Sequence, residues 1–172
     1  MSMLVTLRST HHRDFSSQRC SMSCSQFLQL SVGVNGMQLT AALLDLCKGS
    51  SKSVIAIDGP AGAGKTTLAT NLALALAHDL KVQIIHMDDL YDGWQNALGP
   101  QLSETLTHIV SSHKTGKKVK FSKYDWAQSQ FNEAQEIPEA DLIILEGVGS
   151  GQLAIRDELA ALLWIDIDYS LG

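Results

Sequence analysis

The sequence predicts an α/β protein of three layers, in which helices cover both faces of a parallel sheet. Two observations carry this prediction. Short apolar runs alternate along the chain with stretches that have helical spacing, and strands that alternate with helices build parallel sheets with right-handed crossovers. A glycine-rich loop also joins the first apolar run directly to a helical stretch. We predict that the strands of the sheet lie at 53–58, 82–86, 141–145 and 161–166.

The first predicted elements surround the glycine-rich loop. Residues 38–47 place apolar side chains at helical spacing, and Gly49 follows where such a helix would end. Residues 53–58 are a short run of apolar and β-branched residues, which is typical of a buried strand. Residues 67–78 are rich in Ala and Leu, which have high helix propensity. The order is therefore helix, strand, loop and helix.

The later elements continue this alternation. Residues 82–86 are predicted to be a second strand, and 101–112 a helix with its large apolar residues on one face. Residues 114–137 are expected to be irregular, with a short hairpin. The run 141–145 is almost wholly apolar, as in strands that are buried on both faces. Residues 161–166 complete the predicted sheet.

Composition limits the classes of function. The 172 residues, 45% of them hydrophobic, suit one domain with a substantial core. The net charge of −5 and the lack of a basic stripe argue against polymer nucleic acid as a partner. No apolar stretch is long enough to span a membrane. The three cysteines have no metal-ligand spacing and leave an odd thiol, which favours a reducing, cytoplasmic location.

The first 33 residues differ from the rest of the chain. They are rich in serine and basic residues and have little apolar periodicity. We expect a disordered tail or a start codon annotated too early, since Met22 and Met37 follow, in preference to a transit peptide. Residues 34–172 are then the folded domain.

The glycine-rich loop carries the clearest functional signal. It completes the pattern G-x-x-x-x-G-K-[ST], or P-loop, between a predicted strand and a predicted helix. Backbone N–H groups of such a loop surround phosphates, the lysine reaches the β- and γ-phosphates, and the hydroxyl binds Mg²⁺. The sequence thus predicts ATP and Mg²⁺ as ligands. The predicted nucleotide contacts are Gly59, Pro60, Ala61, Gly62, Ala63, Gly64, Lys65, Thr66 and Thr67.

Carboxylates follow two other predicted strands. Glu146 ends the third strand, beside the P-loop, where an acid can help Thr66 to hold Mg²⁺. Asp88 and Asp89 follow the second strand at the same edge, where a carboxylate can accept the proton of an attacking hydroxyl. Because side chains alternate in an extended chain, only one of these two aspartates is expected to face the site.

Aromatic residues gather near these motifs. They either form a stacking wall for a planar acceptor or belong to the core. The group consists of Tyr91, Trp94, Tyr124 and Trp126.

In four segments, the chain resembles the uridine kinase and phosphoribulokinase-like branch of P-loop kinases. The resemblance covers about residues 50–168. The first segment is the P-loop with its preceding strand, and the second is Met87-Asp-Asp-Leu-Tyr91, similar to a D-x-F-Y motif. The third is Tyr124-Asp-Trp126, similar to a Y-D-F segment, and the fourth is Leu145-Glu-Gly147, similar to an F-E-G turn.

This resemblance implies a three-layer P-loop NTPase fold and a kinase function. The γ-phosphoryl group of ATP would pass to a hydroxyl of a nucleoside of the uridine or cytidine type, or of a similar small metabolite. Asp88 would be the general base, with Lys65 as the other catalytic residue. Tyr91, Tyr124 and Trp126 would contact the acceptor.

The chain departs from the family pattern at two places. Residues 127–130 read Ala-Gln-Ser-Gln where the family carries a histidine and an arginine. The family also continues into an arginine-rich lid and a further strand, whereas this chain ends at Gly172 with only Arg156 downstream of Glu146. We therefore expect the C-terminal part of the fold to be missing and the sheet edge beside 161–166 to be open. The alternatives are a nucleotide-binding protein or weak ATPase without transferase activity, or a kinase of another acceptor such as pantothenate or a sugar.

Overall fold

The computed structural model describes residues 3–9, 27–30, 36–48 and 50–167, with side chains for 38–48 and 50–166. The helices are α1 (Gly36–Cys47), α2 (Lys65–Leu76), α3 (Pro100–Lys114) and α4 (Leu153–Arg156). The first strands are β1 (Met3–Ser9), β2 (Phe27–Leu30), β3 (Ser53–Asp58) and β4 (Val82–His86). Four strands of two residues follow, namely β5 (Lys120–Phe121), β6 (Tyr124–Asp125), β7 (Gln130–Phe131) and β8 (Gln135–Glu136). The last two are β9 (Leu142–Glu146) and β10 (Ala161–Ile167).

The main sheet has the strand order β2-β1-β10-β3-β9-β4. Strands β10, β3, β9 and β4 are parallel to one another, so the predicted parallel sheet of four strands is confirmed. The bounds of β3 and β4 agree with the prediction, whereas β9 lies one residue later than predicted and β10 extends to Ile167. All four strands therefore end at one edge of the sheet.

Helices cover both faces of the sheet because its central strands, β3 and β9, are largely apolar on both sides and buried along their whole length. Val54 and Ala56 of β3 lie in a buried cluster with α3. Ile55 and Ile57, which alternate with them, lie in a second cluster with α1 and α2. This burial on both faces is why the strands lack the apolar–polar alternation of half-exposed sheets. The three-layer α/β class predicted from the sequence is confirmed.

The edge beside β10 is occupied by β1, contrary to the expectation of an open edge. Strand β1 pairs antiparallel with β10 along its whole length, and β2 pairs antiparallel with β1. These strands lie within residues 1–33, for which we expected a tail. The weak apolar periodicity of this region gave no local signal for strands. The pairing was not predictable either, because the partner of β1 lies more than 150 residues away along the chain. Residues 10–26 and 31–33 lie outside the described part of the chain.

The segment 114–137 forms two short antiparallel ladders, one nested inside the other. Strand β5 pairs with β8, and β6 pairs with β7. We had expected an irregular stretch with a short hairpin, and the inner ladder is such a hairpin. It brings Tyr124 and Trp126 to the carboxyl edge of the sheet, where Trp126 contacts the turn after β4. None of the described helices is long and apolar enough for a membrane span.

Candidate functional site

A cavity of about 530 Å³ lies at the carboxyl edge of the parallel sheet, where ligands of open α/β sheets bind. The P-loop after β3, the turn after β4 and the loop after β9 all contribute to it. Its lining residues are Ala61, Gly62, Lys65, Thr66, Asp88, Tyr91, Trp94, Gln95, Ala97, Leu98, Glu146, Gly147 and Val148. The edge thus joins the P-loop to both acidic motifs predicted from the sequence.

The P-loop leads directly into α2. The helix begins at Lys65, two residues earlier than predicted, so its N-terminal N–H groups lie in the loop itself. Helix N-termini with free N–H groups attract phosphate. Lys65 is only 8% exposed, and its Nζ donates a hydrogen bond to the Pro60 carbonyl at 2.7 Å. The lysine is therefore already held against the loop that would surround a phosphate chain.

Thr66 and Glu146 meet across the loop. The Thr66 hydroxyl lies 3.2 Å from both carboxylate oxygens of Glu146. A hydroxyl and a carboxylate are the oxygen ligands that Mg²⁺ prefers, and this ion commonly takes its other ligands from phosphates and water. These two side chains therefore fit the predicted magnesium site.

His86 is a neighbour of Glu146 that the sequence reasoning did not identify. Its Nδ1 lies 2.5 Å from Glu146 Oε1. The side chain of His86 is 43% exposed. The contact arises because the last residues of β4 and β9 are in register. The available signal was that one strand ends in His and another in Glu. It predicts a contact between the two side chains only when the strands are known to be neighbours.

The acidic turn after β4 separates its two aspartates. Asp88 is exposed and lines the cavity. Asp89 lies outside the lining, and its Oδ2 pairs with Lys123 Nζ at 2.8 Å. One aspartate lines the cavity and the other does not. The alternation expected of an extended chain is not the reason, because Met87–Asp89 forms a short 3-10 helix. The role of Asp88 as general base stays a prediction.

Two aromatic residues line the cavity. Tyr91 is buried and its hydroxyl donates to the Val148 carbonyl at 2.7 Å. Burial, with a smaller effect of the Asp88 carboxylate, raises the pKa of Tyr91 above its usual range, so it remains a neutral donor. Trp94 is 72% exposed and forms the outer wall.

Tyr124 and Trp126, predicted to contact the acceptor, lie behind this wall. The rings of Trp94 and Trp126 are 4.6 Å apart between centroids, and Tyr124 meets Trp126 edge-on at 5.0 Å. The Trp126 indole N–H also donates to the Asp88 carbonyl at 3.1 Å. Neither Tyr124 nor Trp126 is among the residues that line the cavity. They support Trp94 and the acidic turn, and Trp94 takes the lining position.

The loop 147–151 after β9 is attached to the P-loop strand by Asp58, which the sequence reasoning did not single out. Asp58 Oδ1 accepts hydrogen bonds from the N–H groups of Gly59 and Gly149, at 2.8 and 2.9 Å. Its Oδ2 accepts from the Gly151 N–H at 2.9 Å. Arg156 donates to the Gly151 carbonyl through Nε and Nη2. The sequence signal that could have identified Asp58 is its position as an acidic residue at the end of a buried apolar strand.

Gly59 lies so close to the backbone of β10 that it has no room for a side chain. A substitution at this position tests the close packing of the P-loop on that strand. The φ of Gly59 is +141°, and an added Cβ would lie 2.3 Å from the Ile165 carbonyl oxygen of β10. We expect Gly59→Ala to lower the free energy of unfolding by about 3 kcal/mol, a fall of roughly 6–12 °C in Tm. Thermal unfolding measures this.

Gly62→Ala is the matched control. Gly62 also has a positive φ, +77°, but nothing lies within 4 Å of an added Cβ. Only the backbone strain remains, about 1–2 kcal/mol. Equal losses of Tm in the two variants would contradict the close packing of the loop on β10.

Solved structures of other proteins share this architecture. The structure is similar to that of a possible uridine kinase from Bacillus stearothermophilus, with 25% identity and a TM-score of 0.52 over 72% of this chain and 78% of that chain. It is also similar to a candidate fructose transport system kinase from Silicibacter sp. TM1040, with 24% identity and a TM-score of 0.55 over 67% of this chain and 64% of that one. No protein-family model and no curated protein matches the sequence. The resemblance predicted from the four motifs is confirmed in the structure: the chain is a P-loop protein with the fold of uridine kinase-like and related P-loop kinases.

Proposed function

We propose that the chain transfers the γ-phosphoryl group of ATP to a hydroxyl group of a small, planar, uncharged metabolite of the nucleoside type. One observation carries the proposal. A single cavity combines Lys65 and Thr66 of the P-loop with Glu146, Asp88 and the ring of Trp94. Phosphate binding, metal binding, proton acceptance and stacking are the tasks that such a transfer requires of a protein.

The reaction assigns one task to each group. The acceptor oxygen attacks the γ-phosphorus, and its proton passes to the Asp88 carboxylate. The bond from the γ-phosphorus to the bridging oxygen breaks, and ADP leaves with that electron pair. Lys65 offsets the charge that develops on the phosphates. Thr66 and Glu146 would hold Mg²⁺, which neutralises phosphate charge when it is bound with ATP.

The charges of the cavity favour an uncharged acceptor. Lys65 is the only cationic residue among those that line it, and its Nζ is already directed to the P-loop carbonyl. Trp94, Ala97, Leu98 and Val148 are apolar lining residues, and we assign them to the acceptor half of the cavity. A phosphorylated acceptor would need a further cation to replace its hydration. A planar apolar face, in contrast, can stack on the indole.

A second candidate function is nucleotide binding with slow hydrolysis. No arginine lies among the residues that line the cavity, and Arg156 is directed to the Gly151 carbonyl. Arginines that reach the transferred phosphoryl group are worth about 10³–10⁵ in rate in enzymes that use them. Without one, ATP binding is retained while transfer becomes slow.

Release of ADP distinguishes the two functions. The full chain is incubated with Mg-ATP, alone and with uridine, cytidine, pantothenate or fructose, and phosphorylated acceptor is identified by mass spectrometry. We expect the nucleosides to accelerate ADP release and to be phosphorylated. Thr66→Ala controls for contaminating kinases. ADP release that no acceptor accelerates would reject the transferase and support the slow hydrolase.

Trp94→Ala tests the acceptor half of the cavity. Loss of stacking on one base costs about 1–3 kcal/mol, so we expect the acceptor KM to rise by about 5- to 100-fold, with the KM for ATP unchanged. Trp164→Ala is the control, because Trp164 is also exposed, at 44%, but lies outside the cavity. A rise in the KM for ATP instead would place Trp94 against the nucleotide.

A further inference from the structure

Asp58 is a buried carboxylate with no part in the reaction as described above. It is 7% exposed and does not line the cavity. Both of its oxygens already accept backbone N–H groups, three in total. These bonds use three of the roughly four lone-pair sites of the carboxylate, and the group lies outside the cavity lining, so we give it no role as proton acceptor or metal ligand. Its contacts instead join two loops.

The two loops carry the opposite halves of the cavity. Gly59 begins the P-loop, which supplies Lys65 and Thr66. Gly149 and Gly151 belong to the loop 147–151, which follows Glu146 directly and contributes Gly147 and Val148 to the lining. Asp58 therefore joins the P-loop, with Lys65 and Thr66, to the loop that follows Glu146 through one short side chain.

The loop 147–151 needs such an attachment because of its composition. Three of its five residues are glycine, and glycine loses more conformational freedom on folding than any other residue. Small residues are also required there, since an added Cβ at Gly147 would lie 2.6 Å from the Met87 side chain. Apart from Ser150, which is fully buried, the loop thus has little side-chain packing of its own. Charge-assisted hydrogen bonds from its N–H groups can hold it in one conformation.

We propose that Asp58 is a positioning residue, which sets the loop 147–151, and with it Glu146 and the Val148 wall, against the P-loop before any ligand binds. The role in catalysis rests on the proposed phosphoryl transfer, whereas the effect on the loop does not. Tyr91 and Arg156 contact the same loop at Val148 and Gly151. Of these three side chains, Asp58 is the one that also bonds to the P-loop.

Asp58→Asn removes this function with little change in shape. The carboxamide has one acceptor oxygen, and its NH₂ group only donates. Whichever way the carboxamide is turned, its NH₂ group takes the place of an oxygen that accepts at least one glycine N–H. Two donors then face each other where the wild-type protein has a hydrogen bond. Asp141→Asn is the matched control. Asp141 Oδ2 also accepts a backbone N–H, that of Lys81 at 2.9 Å, but at the opposite edge of the sheet.

Hydrogen exchange tests the attachment independently of any activity. In the wild-type protein the amides of Gly149 and Gly151 should be protected, because each donates to the carboxylate. In Asp58→Asn they should exchange about 10- to 100-fold faster, and in Asp141→Asn they should not change. Unprotected glycine amides in the wild type, or unchanged exchange in a folded Asp58→Asn, would overturn the proposal. If Asp58→Asn does not fold, Asp58→Glu is measured in its place, and wild-type exchange rates at Gly149 and Gly151 in that folded variant would overturn the proposal.

Kinetics then separates positioning from simple stabilisation. At a temperature where Asp58→Asn is fully folded, we expect kcat to fall by about 10²-fold with little change in Mg-ATP affinity, since misplaced reacting groups cost that much. An unchanged kcat would overturn the positioning role. If the wild-type chain transfers no phosphoryl group, the proposed function fails, and the exchange experiment still decides the assignment of Asp58.

Discussion

Replacing Lys65 by alanine should weaken the binding of Mg-ATP by about 10- to 100-fold, because the ammonium group forms charge-assisted hydrogen bonds to phosphate worth about 1.5–3 kcal/mol. The fold should persist, since among the described residues Nζ bonds only to the Pro60 carbonyl, and α2 continues past Lys65 with buried Ala69, Leu72 and Leu76. Calorimetric titration with Mg-ATP measures the affinity, and circular dichroism checks the fold.

Lys117→Ala is the control for this change. Lys117 is exposed and lies near Lys52 and Ala140, at the amino edge of the sheet. Its removal changes the net charge equally but leaves the P-loop intact. A folded Lys65→Ala protein with wild-type affinity for ATP would contradict the assignment of the loop as the nucleotide site.

Replacing Asp88 by asparagine should lower the rate of phosphoryl transfer by about 10²–10⁴-fold while ATP still binds, because an amide cannot accept the acceptor's proton. Asp88 is exposed and lines the cavity with Lys65 and Thr66. Single-turnover kinetics with the acceptor identified from the panel measures the rate, and calorimetry measures ATP binding separately.

Asp89→Asn is an adjacent control of the same chemistry. Asp89 pairs with Lys123 outside the cavity, so its loss should affect the rate little. A larger effect of Asp89→Asn than of Asp88→Asn would mean that the two aspartates exchange places when substrate binds. The general base would then be Asp89, and the match to the D-x-F-Y motif would be out of register by one residue.

Much of the fold follows from local patterns. Strands β3 and β9 were predictable because burial on both faces requires short, almost wholly apolar runs. The half-buried run 82–86 was predictable from its β-branched residues, and 53–58 and 82–86 match the observed strands to the residue. The P-loop was predictable because glycines, Lys65 and Thr66 lie within one continuous stretch. The resemblance of three further motifs to uridine kinase-like proteins agrees with the structural similarity.

Contacts between distant segments were not predictable in this way. Asp58 and Gly151 are separated by 93 residues, and His86 and Glu146 by 60. Each pair meets because two strands are neighbours in a particular register, which no local pattern encodes. The pairing of β1 with β10 spans the chain for the same reason.

By itself, the sequence determined the α/β class, the order of the central elements and the phosphate-binding loop, because each depends on residues that are close together along the chain. The resemblance implied Asp88 as the base, and the tertiary structure decided that Asp88 lines the cavity while Asp89 pairs with Lys123. It also decided that Trp94 stands in front of Tyr124 and Trp126, and that Asp58 joins the two glycine loops. The physical reason is common to all three: the direction of a side chain at the end of a strand depends on the turn that follows and on the strands beside it, and these are arranged by packing across the whole sheet.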